Sequence, residues 1–361
     1  MSEYEALAKN VIRKTLQIKP NESVIVESWN HGADVAKELV YQLRAVGARP
    51  MSLFEDEETY WRSVETLPTS KLGHVSASEW AALSKADAYI FLPGPADLPR
   101  YRKNLPKSAA ATGYNSDWYR RAEKRKLRGA RLALGYASRE RAEAYGFDLN
   151  AWRSMLVDAS STDFLPISRK GKKIAALLSR AGDVEVSAPN GTRLSFSLKG
   201  RDATLDDAIV DAKDVGEGDV MANVPPGQAY VAPEENSAEG VLVADLPIAY
   251  LGSLIKGVRI SFKDGKATWS AEENDAALRP TWDKATGGKD KIAALGIGLN
   301  PAVKTGFLQD DLAAGVVEIA IGDNSEFGGR NNTNFYLGPK LDKATVRIGK
   351  KVVVKDGRLA V

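Results

Sequence analysis

The chain has 361 residues, 43% apolar and 27% charged, with 50 Lys and Arg against 47 Asp and Glu for a formal charge of +3. That length supports a substantial core shared between two domains, and the near balance of charge supplies no basic face of the kind nucleic acid requires. There is no cysteine, and His31 and His74 are the only histidines, which excludes disulfides, thiolate ligands and a Cys nucleophile throughout, and a His-rich metal site or Ser-His-Asp triad in the C-terminal half of one chain.

Tyr4–Leu16 carries Leu7, Val11, Ile12 and Leu16 at helical spacing. No apolar run approaches the roughly 20 residues that span a bilayer, and MSEYEALAKNVIRK lacks a signal-peptide core, so a cytoplasmic protein with no membrane partner is expected. Val24–Trp29 reads as a buried strand, Asp34–Ala48 as an amphipathic helix and Pro50–Glu57 as a second strand. This βαβ order predicts an α/β domain with a parallel sheet over residues 1–170. Glu27, Trp29 and His31 fall at the end of the first strand, and Glu55, Asp56, Glu57 and Trp61 after the second, at the edge where such sheets bind ligands. Four acids, a histidine and two tryptophans suit a cation pocket with cation–π faces; they equally suit a solvated acidic loop with one satisfied histidine.

Glu58–Leu67 is expected to be helical, Ser76–Ala86 a helix whose Ser76 and Glu79 form a capping box, and Asp87–Gly94 a strand. Tyr114–Gly129 is a helix with six Lys and Arg, which read as a solvated face rather than a phosphate site. A strand at Ala130–Ala137 and helices at Arg139–Ser160 and Lys170–Gly182 follow. Neither GxGxxG after the first strand nor GxxxxGK[ST] is present, so no nucleotide cofactor is indicated.

Between residues 165 and 183 the texture changes to short strands with Gly, Asn and Asp turns. Asp183–Arg201 reads as a hairpin around Pro-Asn-Gly, and Asp264-Gly265 and Asp356-Gly357 mark two more turns. A mainly β (α+β) domain is therefore expected over 171–361. Within it, Ala294–Gly329 has two glycine-punctuated apolar runs around Asp310-Asp311 and a final acidic, glycine-rich turn, the layout of a strand-borne site. Adjacent aspartates on a strand face opposite ways, so Asp310 and Asp311 fit a turn or cap better than joint chelation. Asn300, following two glycines, fits a turn at positive φ.

Several ordered phrases of this half resemble the aminopeptidase T / aminopeptidase S family of thermophilic-type metallo-aminopeptidases. They are GTRLSFSLKGR, PPGQAYVAPEENSAEG, FKDGKATWSAEEN, the Leu-Gly-x-Gly-x-Asn-Pro run at Leu295–Pro301, Asp310-Asp311 and IAIGDNSEFGG. The resemblance implies an α/β domain followed by a domain holding two metals on carboxylate, His and Tyr ligands, activity on peptides, and a homodimer. Position by position, the ligands are replaced. Gln228 stands for the signature Glu, Ala294 for the Glu before Leu-Gly, Glu318 for a His, Ser325 for a Tyr, and the final His-x-Asp falls near Tyr336 and Gly338. Related iron dioxygenases that open 2,5-dihydroxypyridine rings need two His and an Asp there, which are also missing.

Two readings follow. Glu318 with Asp310, Asp311, Asp323 and Glu326 would make an all-oxygen site for Mg²⁺, Mn²⁺ or Ca²⁺ in a divergent metallohydrolase of peptides or small amides. Alternatively Glu318 pairs with a nearby Lys or Arg, in a catalytically degenerate relative that keeps its cleft for a small molecule or peptide. Gln228 does not ionise and cannot serve as a base; Tyr336 is either a phenolic donor to a ligand or an ordinary packed tyrosine.

Overall fold

The computed structural model describes residues 2–361. The chain forms two compact units, one running to Thr162 and taking in Ala208–Pro225, the other comprising Asp163–Asp207 and Pro226–Val361. The first is an α/β domain on a parallel sheet and the second is mainly antiparallel β, as expected. The linear division at residue 170 differs from this interleaved arrangement over residues 163–170, which belong to the second unit, and at Ala208–Pro225, whose strand belongs to the sheet of the first.

In the first unit the sheet order is Arg49–Glu55, Ser23–Trp29, Ala88–Phe91, Arg128–Leu132 and Met221–Val224, every neighbouring pair parallel. Met221–Val224 joins this sheet because Arg128–Leu132 otherwise ends it with a bare row of backbone donors and acceptors. Helix Ala33–Ala45 buries Val35, Leu39 and Leu43, a spacing that keeps them on one face. The single helix expected over Arg139–Ser160 is two, Arg139–Tyr145 and Leu149–Ser161, because Gly146 ends the first in the left-handed region and Asp148 caps the second through Ala151 N.

The second unit contains an eight-stranded and a six-stranded sheet, with antiparallel strand pairs throughout both. One core gathers Val184, Leu194, Ile260 and Val346 from the larger sheet. It also takes Val231, Leu295, Ile297, Val317 and Ile319 from the smaller, and Ile167, Ile174 and Leu178 from helix Phe164–Leu178. Each such side chain contributes about 1.5–3 kcal/mol relative to exposure. Asp264-Gly265 and Asp356-Gly357 form two-residue hairpin loops with all four residues at positive φ, the turn whose twist matches that of paired strands. No helix among the described residues is long and apolar enough to cross a membrane.

Candidate functional site

The six-stranded sheet has one face in the core, and strand alternation sends the intervening residues to the other. Ala229, Val231, Leu295, Ile297, Val317, Ile319, Leu337 and Leu341 are core residues. Gln228, Tyr230, Ala294, Gly296, Glu318, Ala320, Tyr336 and Lys340 therefore share the opposite face. The register sets them in rows. Gly296 lies opposite Tyr230 on one side and Glu318 on the other, Glu318 lies opposite Lys340, and Gly298 lies opposite Gln228.

Glu318 is the centre of this face. Its Oε2 accepts a hydrogen bond from Gln228 Nε2 at 3.1 Å and its Oε1 one from the Tyr336 hydroxyl at 3.2 Å. Two glycines make the arrangement possible. A Cβ on Gly338 would sit 1.9 Å from Glu318 Oε1, and one on Gly296 would sit 2.5 Å from Gln228 Nε2. The Glu318 carboxyl thus fills the space of a side chain at 338, and the Gln228 amide reaches it across Gly296.

Burial raises the Glu318 pKa, and the Asp311 charge adds to the shift while Lys340 and the two hydrogen bonds oppose it. Tyr336 is held well above its ordinary value by desolvation of its hydroxyl and by the Glu318 charge, although 40% of the residue is exposed. For Lys340 burial works against the charged form, but Asp311, Glu318 and Asp310 outweigh it and its pKa is raised.

Of the remaining oxygen donors, Asp311 lies in the 3-10 turn Asp310–Leu312 and acts on Glu318 as a charge, and the other three are engaged or directed elsewhere. Asp310 is buried and its Oδ1 accepts from Gly306 N and Phe307 N at 2.7 and 3.0 Å, so it holds its own turn. Asp323 takes Ser325 N and Oγ on one oxygen and Thr333 N on the other, and these bonds overcome burial to hold it below the usual carboxylate range. Ser325 and Glu326 are exposed, and Ala294 packs with Ala293, Ala320 and Phe327. Among the described residues, no three His, Asp or Glu side chains come together in a group that could hold a metal ion. Of the expected all-oxygen set, Asp310 and Asp323 are spent on their own loops and Glu326 faces solvent. Asn300 is not at positive φ; it is fully buried, donating to Pro226 O and accepting from Ala302 N.

In the first unit the expected cluster divides. His31 Nε2 faces the carbonyls of Pro93 and Gly135 at 3.1 and 2.8 Å, Asp56 caps helix Glu57–Thr66 through Thr59 N, and Trp29 is buried against Gly94. These three serve structure. Glu27 accepts from the Tyr89 hydroxyl. Burial, then the charges of Glu55 and Glu79, push the Glu27 carboxyl up to about 7 against the Tyr89 bond. Glu79 caps only one way: its amide donates to Ser76 Oγ, while its carboxylate acts on Glu27 and Glu55. Sequence reading missed Glu79 and Lys340 as charged neighbours. Period-two spacing of Tyr336, Gly338 and Lys340 was the available signal for the lysine.

Fold and site together define a two-unit protein, an α/β unit followed by a mainly antiparallel β unit with a polar face on its six-stranded sheet, and comparison with known proteins finds the same fold. The sequence profile of peptidase family M29, the thermophilic metalloproteases, matches residues 166–290, a span that includes Gln228 and stops before Ala294, Glu318 and Tyr336. The chain resembles that family and has the fold of wild-type AmpT from Thermus thermophilus, at 21% identity and a TM-score of 0.77 over 99% of both chains. It is also similar to 2,5-dihydroxypyridine dioxygenase from Pseudomonas putida KT2440, at 16% identity and a TM-score of 0.62 over 100% of this chain and 98% of that one. No curated protein sequence matches significantly.

Proposed function

We propose that this chain is a divergent aminopeptidase-like protein that binds a small molecule or peptide on the polar face of its six-stranded sheet without two-metal chemistry. The observation that carries the reading is the state of Glu318, with both carboxyl oxygens engaged by Gln228 and Tyr336 and a lysine as its cross-strand neighbour. An amide, a phenol and an ammonium around one carboxyl do not fit a pair of divalent metals, which need several anionic or imidazole donors.

The surroundings suit an uncharged or zwitterionic ligand. Phe327 stacks edgewise on Tyr230 at 5.2 Å and lies 6.0 Å from the Tyr336 ring. It also lines a cleft of about 780 Å³ together with Arg201, Asp202, Glu234, Glu235 and Arg330. Both signs of charge beside an aromatic wall match the ends and side chains of a short peptide. Arg201 and Glu235, each 13% exposed and paired at 2.6 Å, fix one side of that cleft.

The test is the metal content of protein purified without chelator, with thermal unfolding in Mn²⁺, Mg²⁺, Co²⁺ and Zn²⁺. We expect no stoichiometric metal and an unchanged Tm, since a metal bound only by the native state must stabilise it. A rise in Tm with any of these ions that disappears in Glu318→Ala would restore the metallohydrolase reading.

A further inference from the structure

Strand Arg49–Glu55 is the outer strand of the parallel sheet, paired with Ser23–Trp29 on one side and, among the described residues, with no strand on the other. Its seven residues run without a bulge. Arg49 N donates to Glu22 O at 2.8 Å, so the peptide groups of Arg49, Met51, Leu53 and Glu55 point to the neighbouring strand. Those of Pro50, Ser52 and Phe54 point outward, since successive residues alternate. Phe54 is 58% exposed and Met51 39%; Arg49, Ser52 and Glu55 are exposed, and Pro50 and Leu53 are half-buried. A regular edge with exposed apolar side chains is a template for a further strand.

The residue order Arg-Pro-Met-Ser-Leu-Phe-Glu selects the occupant. A second copy of this strand, turned antiparallel about Ser52, places the partner's Glu55 opposite Arg49, the partner's Leu53 opposite Met51 and the partner's Phe54 opposite Pro50, with the two Ser52 residues on the axis. Each contact then occurs twice, with opposite charges at both ends, apolar against apolar between them and a small polar residue where the copies meet. Moving the axis to Met51 sets Arg49 against the partner's Leu53; moving it to Leu53 sets Met51 against the partner's Glu55. Only the Ser52 register matches charge with charge. The outward peptide groups suit it too. Each Ser52 N–H meets the partner's Ser52 carbonyl and each Phe54 N–H the partner's Pro50 carbonyl, so only the two bonds that proline cannot donate are lost. Arg49 Nη2 donates to Asn21 Oδ1 of its own chain at 3.0 Å, which leaves the rest of the guanidinium fork for the partner's Glu55. We propose that Arg49–Glu55 is a self-pairing edge through which two copies of this chain join their five-stranded sheets into one continuous sheet, with a two-fold axis at Ser52. A contact of this kind uses the same patch on both copies and closes at two.

The experiment measures the mass of the full-length chain by size exclusion with light scattering over a dilution series, with far-UV CD to show that each variant is folded. We expect a dimer for the wild type. Ser52→Lys sets two ammonium groups face to face on the axis, and Ser52→Pro removes the two N–H donors there; neither touches the bonds to Ser23–Trp29. Each should weaken dimerisation by about tenfold or more. Arg49→Glu should do the same, and Arg49→Glu/Glu55→Arg should recover the dimer. The chain has no cysteine, so Ser52→Cys gives one thiol per copy, and a hydrogen-bonded antiparallel pair holds its Cα atoms about 5.5 Å apart, within disulfide range. Oxidised Ser52→Cys should run as a covalent dimer, whereas Leu165→Cys, at a position 55% exposed in the other unit, should not. A wild-type chain that stays monomeric overturns the proposal and leaves the edge to some other extended segment. A dimer that folded Ser52→Lys and Ser52→Pro leave intact, or that Ser52→Cys does not cross-link, overturns it as well by placing the contact on another surface.

Discussion

At the scale of single residues, the site depends on what two glycines leave out. Gly338 and Gly296 face Glu318 Oε1 and Gln228 Nε2 at distances no Cβ tolerates. Glu318 and Gly338 are therefore one unit of design, a carboxyl supplied from one strand into the space left empty by another. Gly338→Ala should push the Glu318 carboxyl aside, breaking its bonds to Gln228 and Tyr336 at a cost of about 1–3 kcal/mol in urea unfolding. The clashing atom is the far end of a flexible side chain, so Gly338→Ala/Glu318→Ala should recover part of that loss relative to the sum of the single changes. Strict additivity of the two would show that the pair is not coupled through this space.

Between elements, the first unit assembles an acidic group from three of them. Glu27 comes from strand Ser23–Trp29, Glu55 from the neighbouring edge strand and Glu79 from helix Ala77–Lys85, with Tyr89 donating to Glu27. The native Glu27 carboxyl keeps its proton up to about 7, against an ordinary value of 4.5. Between those values the unfolded chain has released a proton that the native state still holds, so stability is full below pH 4.5 and falls as pH rises through 7. The loss attributable to Glu27 is at most about 3 kcal/mol, less wherever water reaches the group. Urea unfolding at pH 5 and pH 8 should show Glu27→Gln losing less stability across that interval than wild type. Equal losses would mean that Glu27 titrates normally.

For the molecule as a whole, the chain leaves its first unit at Thr162 and returns at Ala208. The returning segment supplies Met221–Val224, whose register runs from Gly129 opposite Met221 to Leu132 opposite Val224. Lys126 Nζ also bonds to the carbonyl of Gly216 in that segment. A fragment ending at Thr162 would leave Arg128–Leu132 as a bare parallel edge with buried apolar neighbours, a template for pairing with another copy. We predict that residues 1–162 expressed alone self-associate on size exclusion and bind ANS, whereas the full-length chain does not bind the dye. A monomeric fragment with a cooperative unfolding transition would count against this.

The sequence by itself determined the βαβ order of the first unit, the β-rich second half and the Asp-Gly hairpin turns. These are set by local chemistry, namely side-chain period, φ preference and residue type. Only tertiary structure decided that Gln228, Glu318, Tyr336 and Lys340 share one face while Asp310 and Asp323 turn inward on their own loops. It also decided that Glu79 joins Glu27 and that Ala208–Pro225 closes the first sheet. Strand register and the use of a carboxylate by nearby amides depend on residues far apart in the chain. No local pattern encodes which strand will lie opposite Glu318.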